Sequence, residues 1–111
     1  MPEDPDPGDV FALLDDACAR AILRATSTQA MTAPALVDAC EASRATVYRR
    51  IGDLTDLDLL TETTEYDDEG NHGGVYVASL RRLSVERRDG EFVCSIEEYP
   101  ADRMAEFWKQ L

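Results

Sequence analysis

The chain has 111 residues, 23 of them acidic against 11 basic, and a formal net charge of −12. That length supports one domain, because roughly 100 residues close a single core and chains split only far above that size. Apolar residues make up 44%, enough for a core, and no run approaches the ~20 apolar residues that a bilayer span requires.

The N-terminal stretch MPEDPDPGDV has neither the basic start nor the apolar centre of a signal peptide, so a soluble, cytoplasmic protein is expected. Ten of the eleven basic residues are Arg, and Lys109 is the one Lys. An acidic, Lys-poor surface suits a cytoplasm near salt saturation. Carboxylates there hold water and cations, while a Debye length of about 3 Å at 1 M suppresses their mutual repulsion. The composition therefore reads as halophilic. A pI near 4.3 argues against a nucleic-acid partner unless positive charge is gathered in one place.

Residues 1–8 carry Pro, Gly and acids, and are expected to form a disordered acidic tail. From Asp9, a suitable N-cap, Val10, Leu13, Leu14, Ala17, Ala21 and Ala25 recur at helical spacing. Asp15-Asp16 breaks this stretch into a short helix and a longer one ending near Thr26. Thr32 caps the next helix, with Pro34 tolerated in its first turn and Ala33, Leu36, Val37 and Cys40 as its buried stripe. Glu41-Ala42-Ser43 is a tight connection, and Ser43 caps a further helix whose Val47, Ile51 and Leu54 face inward.

The period changes after Leu60. Leu60–Tyr66 reads as a strand, Asp67–Gly74 as a flexible turn and Val75-Tyr76-Val77 as the returning strand. Residues 83–96 give a sharper hairpin, because Asp89-Gly90 suits a two-residue type I′ turn. Pairing outward from that turn sets Arg87 opposite Phe92, Val85 opposite Cys94 and Leu83 opposite Ile96, with the apolar residues on one face. Pro100 then opens a last helix with Ala101, Met104, Phe107, Trp108 and Leu111 along one side.

Helix, tight turn, helix and β-hairpin make an α+β, winged helix-turn-helix plan. It has three N-terminal helices, a hairpin wing, an additional hairpin and a C-terminal helix. In this plan the helix after the turn enters the major groove. With Val47, Ile51 and Leu54 inward, Ala45, Thr46, Arg49 and Gly52 lie on the solvent side, flanked by Tyr48 and Arg50. Arg49 suits a guanine edge; Arg50, Tyr48 and the Ser43 hydroxyl suit phosphates. Between Ala42 and Gly52 there are three Arg and no acid, a positive island in a polyanionic chain.

These residues also carry a resemblance. MTAPALVDACEASRATVYRRIGDLTDLDLLTE resembles the DNA-binding core of archaeal winged-helix regulators of the arsenic-repressor (ArsR-like) type. Its strongest piece is SRATVYRRIGDL followed by DLL, and DDACARAILRATS is similar to the helix before it. The likeness spans roughly residues 9–78. It implies a dimeric, haloarchaeal transcription regulator with DNA contacts on Ser43, Arg44, Thr46, Tyr48, Arg49 and Arg50. The family's Cys-Val-Cys metal signature is absent, so metal sensing is not implied.

Two features depart from the plain plan. The wing tip Asp67-Asp68-Glu69 is acidic, leaving Asn71 and His72 as its candidate DNA contacts. The hairpin at 83–96, with Arg81, Arg82, Arg87 and Arg88, is extra, and its strand charge suits the blunting of an edge, with contact to DNA or a partner as the alternative. Cys18, Cys40 and Cys94 with one His are too scattered for a zinc site. Cys40 and Cys94 read as small buried hydrophobes, and Cys18 is the redox candidate. No catalytic motif is present, so no enzyme and no cofactor are expected.

The sequence is thus read as a homodimeric, sequence-specific regulator of double-stranded DNA, with no membrane association and no identifiable small-molecule effector. The division is a tail (1–8), a winged-helix domain (9–99) and a dimerising helix (100–111) whose Met104, Phe107, Trp108 and Leu111 form the interface. The alternatives are a thiol sensor acting through Cys18 and a protein–protein adaptor on the same fold.

Overall fold

The computed structural model describes residues 5–66 and 72–109. Helix α1 spans Pro7–Asp15 and α2 spans Ala17–Ala25. The first helix starts earlier than Asp9: Asp6 takes the N-cap position and Pro7 the first turn, where its fixed φ is already helical and its missing N–H costs nothing. Of the expected tail, residues 1–4 lie outside the described residues, and Pro7 and Gly8 are helical.

Asp16 is extended (φ −79°, ψ 124°), ending α1 and capping α2 through its carboxylate, which accepts from the Ala19 amide at 2.8 Å. This break resets the helical phase. Ala17 is exposed, and the buried side of α2 runs through Ala19, Ile22 and the capping residue Thr26. The two helices are equal in length, nine residues each.

Strand β1 (Met31–Thr32) leads directly into α3 (Ala33–Ala39), which Thr32 caps by accepting from the Ala35 amide at 3.3 Å. Helix α4 (Arg44–Asp56) follows the connection 41–43, with Ser43 as its cap. Ile22, Leu36, Val47 and Leu54 are fully buried where α2, α3 and α4 meet, with Cys40 and Ile51 in the same cluster. The expected stripes of α3 and α4 are therefore the observed ones, Val37 being half-buried. Asp58 closes α4 in the left-handed region (φ 60°), so that the Leu59 amide donates back to the Leu54 carbonyl at 3.0 Å.

Strands β2 (Leu60–Tyr66) and β3 (His72–Ala78) form the wing, and β1 adds to β3 through Met31↔Tyr76 and Thr32↔Val75. The sheet order is β1-β3-β2. Two residues are too few to show a period, so β1 carries no signal in the sequence. The returning strand begins at His72, paired with Tyr66, rather than after Gly74.

Strands β4 (Leu80–Arg88) and β5 (Glu91–Glu98) make a separate two-stranded sheet. Its register is the expected one at Arg87↔Phe92, Val85↔Cys94 and Leu83↔Ile96. Asp89 (φ 53°) and Gly90 (φ 81°) supply the two positive φ values of a type I′ turn. Helix α5 (Ala101–Lys109) closes the described chain. Within this single chain Phe107 is only 7% exposed, and Met104 and Trp108 are half-buried. The apolar strip expected to meet a partner is thus largely covered by its own subunit, and Leu111 lies outside the described residues. The architecture is an α+β winged helix-turn-helix with an added hairpin and a C-terminal helix.

Candidate nucleic-acid interface

The exposed side of α4 is set by the burial of the other. Val47, Ile51 and Leu54 hold the helix in the core, so Ala45, Arg49 and Gly52 are exposed, Thr46 is half-exposed and Tyr48 is 40% exposed. Arg49 makes no hydrogen bond or ion pair among the described residues, so its fork is free to take a planar acceptor edge. A Cβ built on Gly52 meets nothing within 4 Å. The fold itself does not ask for glycine there.

The other polar groups are more committed. Ser43 Oγ accepts from the Thr46 amide at 3.1 Å and donates to Thr46 Oγ1 at 2.9 Å. Its proton is therefore spent on the cap, and the Thr46 hydroxyl becomes the free donor. Arg44 lies 5.0 Å above the Tyr48 ring and donates to its hydroxyl at 3.2 Å. The stacking holds a cation beside a phenol on one face of the helix, a pair shaped for a phosphate and the sugar next to it.

Arg50 departs most from expectation. Its Nε lies 3.1 Å from Asp16 Oδ2, and its Nη1 donates to Asp53 Oδ2 at 3.1 Å. The Nε contact is an ion pair without the alignment of a hydrogen bond. With its side chain three-quarters covered, Arg50 ties the start of α2 to the middle of α4. A phosphate would have to displace two carboxylates, so Arg50 is better placed to position α4 than to hold DNA. The Ala19 amide, and after it the Arg50 guanidinium, keep the Asp16 carboxyl below the usual carboxylate range. The Asp16 charge in turn raises the already high Arg50 pKa.

Asp9, Asp16, Asp53 and Asp56 gather with Arg50 around an open groove of about 450 Å³ between α1, α2 and α4. Asp53 and Asp56 thus bring acidic charge to the C-terminal end of α4, while residues 43–52 carry none.

On the wing, the structure adds a residue that pattern reading missed. Tyr76 pairs with Glu62 across β3 and β2, which sets the phenol beside the carboxylate. Burial first, and then the Glu62 charge and hydrogen bond, raise the Tyr76 phenol; Tyr48 of α4 lies near enough to add to the effect. A Cβ on Gly74 would come within 2.8 Å of the Tyr76 hydroxyl, so Gly74 makes room for it. The signal available in the sequence was an aromatic between two valines on a strand next to the recognition helix. Asn71 lies outside the described residues with the wing tip 67–70, and His72 occupies the first position of β3.

Cys40 is buried, and Cys18 is half-buried and packed against the same core cluster. Burial pushes both thiols up, and Asp16 beside Cys18 adds to its rise. Both are held in the protonated, poorly nucleophilic form. Cys94 is fully buried. Among the described residues no group of three or more His, Cys, Asp or Glu side chains is placed to hold a metal ion, and no helix is long and apolar enough to cross a membrane.

Residues 13–63, from the end of α1 into β2, match a family model described as a helix-turn-helix domain. That segment contains the whole candidate interface on α4. No curated protein matches the chain. The fold and the match together define a winged helix-turn-helix architecture, consistent with binding to DNA.

Proposed function

We propose that this chain is a sequence-specific transcription regulator of the ArsR-like, archaeal type, acting as a homodimer in a high-salt cytoplasm. The observation that carries the reading is the exposed side of α4 over residues 43–52, a stretch without an acid, where unpaired Arg49 stands between small residues at 45 and 52. Ala45 and Thr46 approach base edges with Arg49; Ser43, Arg44 and Tyr48 lie along the phosphates, and Arg50 fixes the helix. At the wing, Asn71 and His72 are the remaining DNA contacts. Two copies would set recognition helices about 34 Å apart on palindromic half-sites.

Selection of bound sequences from a random DNA pool, at several KCl concentrations, tests this. The wild type should enrich one motif. Arg49→Ala should lose about 1–3 kcal/mol on that motif and relax preference at one position. Arg50→Ala should weaken all sequences alike. A chain that enriches nothing at any salt is an adaptor that has kept the fold, and equal losses on specific and random DNA would remove Arg49 from base reading.

A further inference from the structure

The face of the wing that meets the helices carries one row of paired residues. Met31, Tyr76 and Glu62 stand opposite one another on β1, β3 and β2, and directly opposed residues of antiparallel strands share a face. Met31 and Tyr76 pack against the cluster in which α2, α3 and α4 meet, while Val75 and Val77 are buried on the other face. The Tyr76 side chain does not stand upright in this row. A Cβ on Gly74, two residues nearer the start of β3, would lie 2.8 Å from its hydroxyl oxygen, 3.1 Å from its Cζ and 3.1 Å from Glu62 Oε1. The phenol is thus laid along β3, and its hydroxyl and the Glu62 carboxylate both lie over Gly74. The backbone of Gly74 has no positive φ, so this space, and not the chain conformation, asks for glycine there.

The tilted phenol lies toward α4. After its own burial, Glu62 and then Tyr48 raise it, so the Tyr48 phenol stands within its electrostatic reach. Tyr48 in turn carries Arg44, whose guanidinium lies 5.0 Å above the ring and donates to the hydroxyl at 3.2 Å. Both Arg44 and Tyr48 are exposed. An arginine stacked on a ring is only as well placed as the ring, and a surface tyrosine is held in one rotamer only against a neighbour. The neighbour that the wing supplies is Tyr76. We propose that Tyr76 is a positioning residue: laid over Gly74, it braces Tyr48 from the wing and so holds the Arg44 guanidinium where it meets a phosphate. The assignment rests on the DNA-binding reading above and adds to it a link between the wing and the recognition helix.

Side-chain NMR of the free full chain and titration with the selected duplex test it together, in KCl at which far-UV circular dichroism shows the native fold. In the free wild type the stacked Tyr48 ring should shift the Arg44 side-chain protons upfield. Gly74→Ala, which drives a methyl group into the Tyr76 hydroxyl, should erase most of that shift. It should also lower affinity about fivefold, on the motif and on random DNA alike, as loss of a phosphate contact does. Removing the obstructing oxygen in the double variant Gly74→Ala with Tyr76→Phe should recover part of both losses. In an Arg44→Ala background, Gly74→Ala should cost less than about twofold, because the group it misplaces is gone. Tyr76→Leu, which shortens the brace without a clash, gives the same readings should Gly74→Ala unfold the wing. Losses that add in full to Arg44→Ala overturn the proposal, since the damage then does not pass through Arg44. So does an Arg44 shift indifferent to Gly74→Ala and Tyr76→Leu, or a double variant with no recovery. A wild type that enriches no DNA motif removes the DNA-binding reading, while the Arg44 shift still decides whether Tyr76 braces the stack.

Discussion

A methyl group added at Gly52 meets no atom within 4 Å, and the residue lies in the third turn of α4 with its Cα exposed. Inside a helix, glycine is about 1 kcal/mol worse than alanine, because the unfolded chain loses more backbone freedom on ordering. Gly52→Ala should therefore stabilise the free protein by about 0.8–1 kcal/mol, a rise in Tm of roughly 4 °C for a domain of this size. Leucine, nearly as good a helix former, should keep most of that gain. Bound to DNA, the same atoms point along the face that carries Ala45 and Arg49. Gly52→Leu should then lose more than tenfold in affinity for the selected motif, about 1.4 kcal/mol, while Gly52→Ala loses less. Thermal melts in KCl and fluorescence titrations with the selected duplex read the two effects separately. If Gly52→Leu is stabilised and binds as the wild type does, this side of α4 does not lie in the groove. If Gly52→Ala is destabilised, position 52 is not open as described.

Asp16 gives a pH test. Its folded pKa is depressed, by the Ala19 amide first and then by Arg50. Its contribution is therefore complete above the unfolded value of about 4 and is lost as pH falls through the lower, folded value. Asp16→Asn should flatten the fall of Tm below about pH 4, and a profile parallel to the wild type would refute the link. Gly90 gives a turn test: at φ 81° a side chain is strained, so Gly90→Ala should cost about 1–2 kcal/mol in denaturant unfolding.

The elements that sequence reading placed well are those in which several local signals agree. Ser43 and Thr32 are caps, Asp89-Gly90 is a turn, and each precedes or joins a stretch of clear period; all three fall where the structure has them. The phase of α2 was misplaced because the break at Asp16 is a backbone event. Counting apolar residues through it carries the phase of α1 into a helix that has turned relative to it. Strand β1 is held by its partner β3 and not by its own two residues. The same limit applies to the site. That α4 would face solvent with Arg49 was legible from three inward residues on one helix. That Arg50 is held by Asp16, 34 positions earlier, and Tyr76 by Glu62, depends on contacts between elements. No periodicity within one element encodes them.

The arginine count on α4 overstates the positive charge offered to DNA. Of its three arginines, Arg50 is neutralised by Asp16 and Asp53, which leaves two cations, Arg44 stacked on Tyr48 and the unpaired Arg49. Binding to the phosphate backbone draws its strength from released counterions, in proportion to the phosphates neutralised. A face with so few available cations, on a chain of net charge −12, releases few. At molar salt even that term is largely gone, because the DNA and the protein are both screened within about 3 Å. What would survive screening in the proposed complex is short-ranged: the fork of Arg49 on a base edge, the Thr46 hydroxyl, and the close approach that Ala45 and Gly52 permit. A polyanionic regulator with this helix would therefore give up most of its nonspecific attraction to DNA and keep the part that depends on sequence. On the proposed reading of a high-salt regulator, the many carboxylates and the small, sparsely charged face of α4 are two sides of one arrangement.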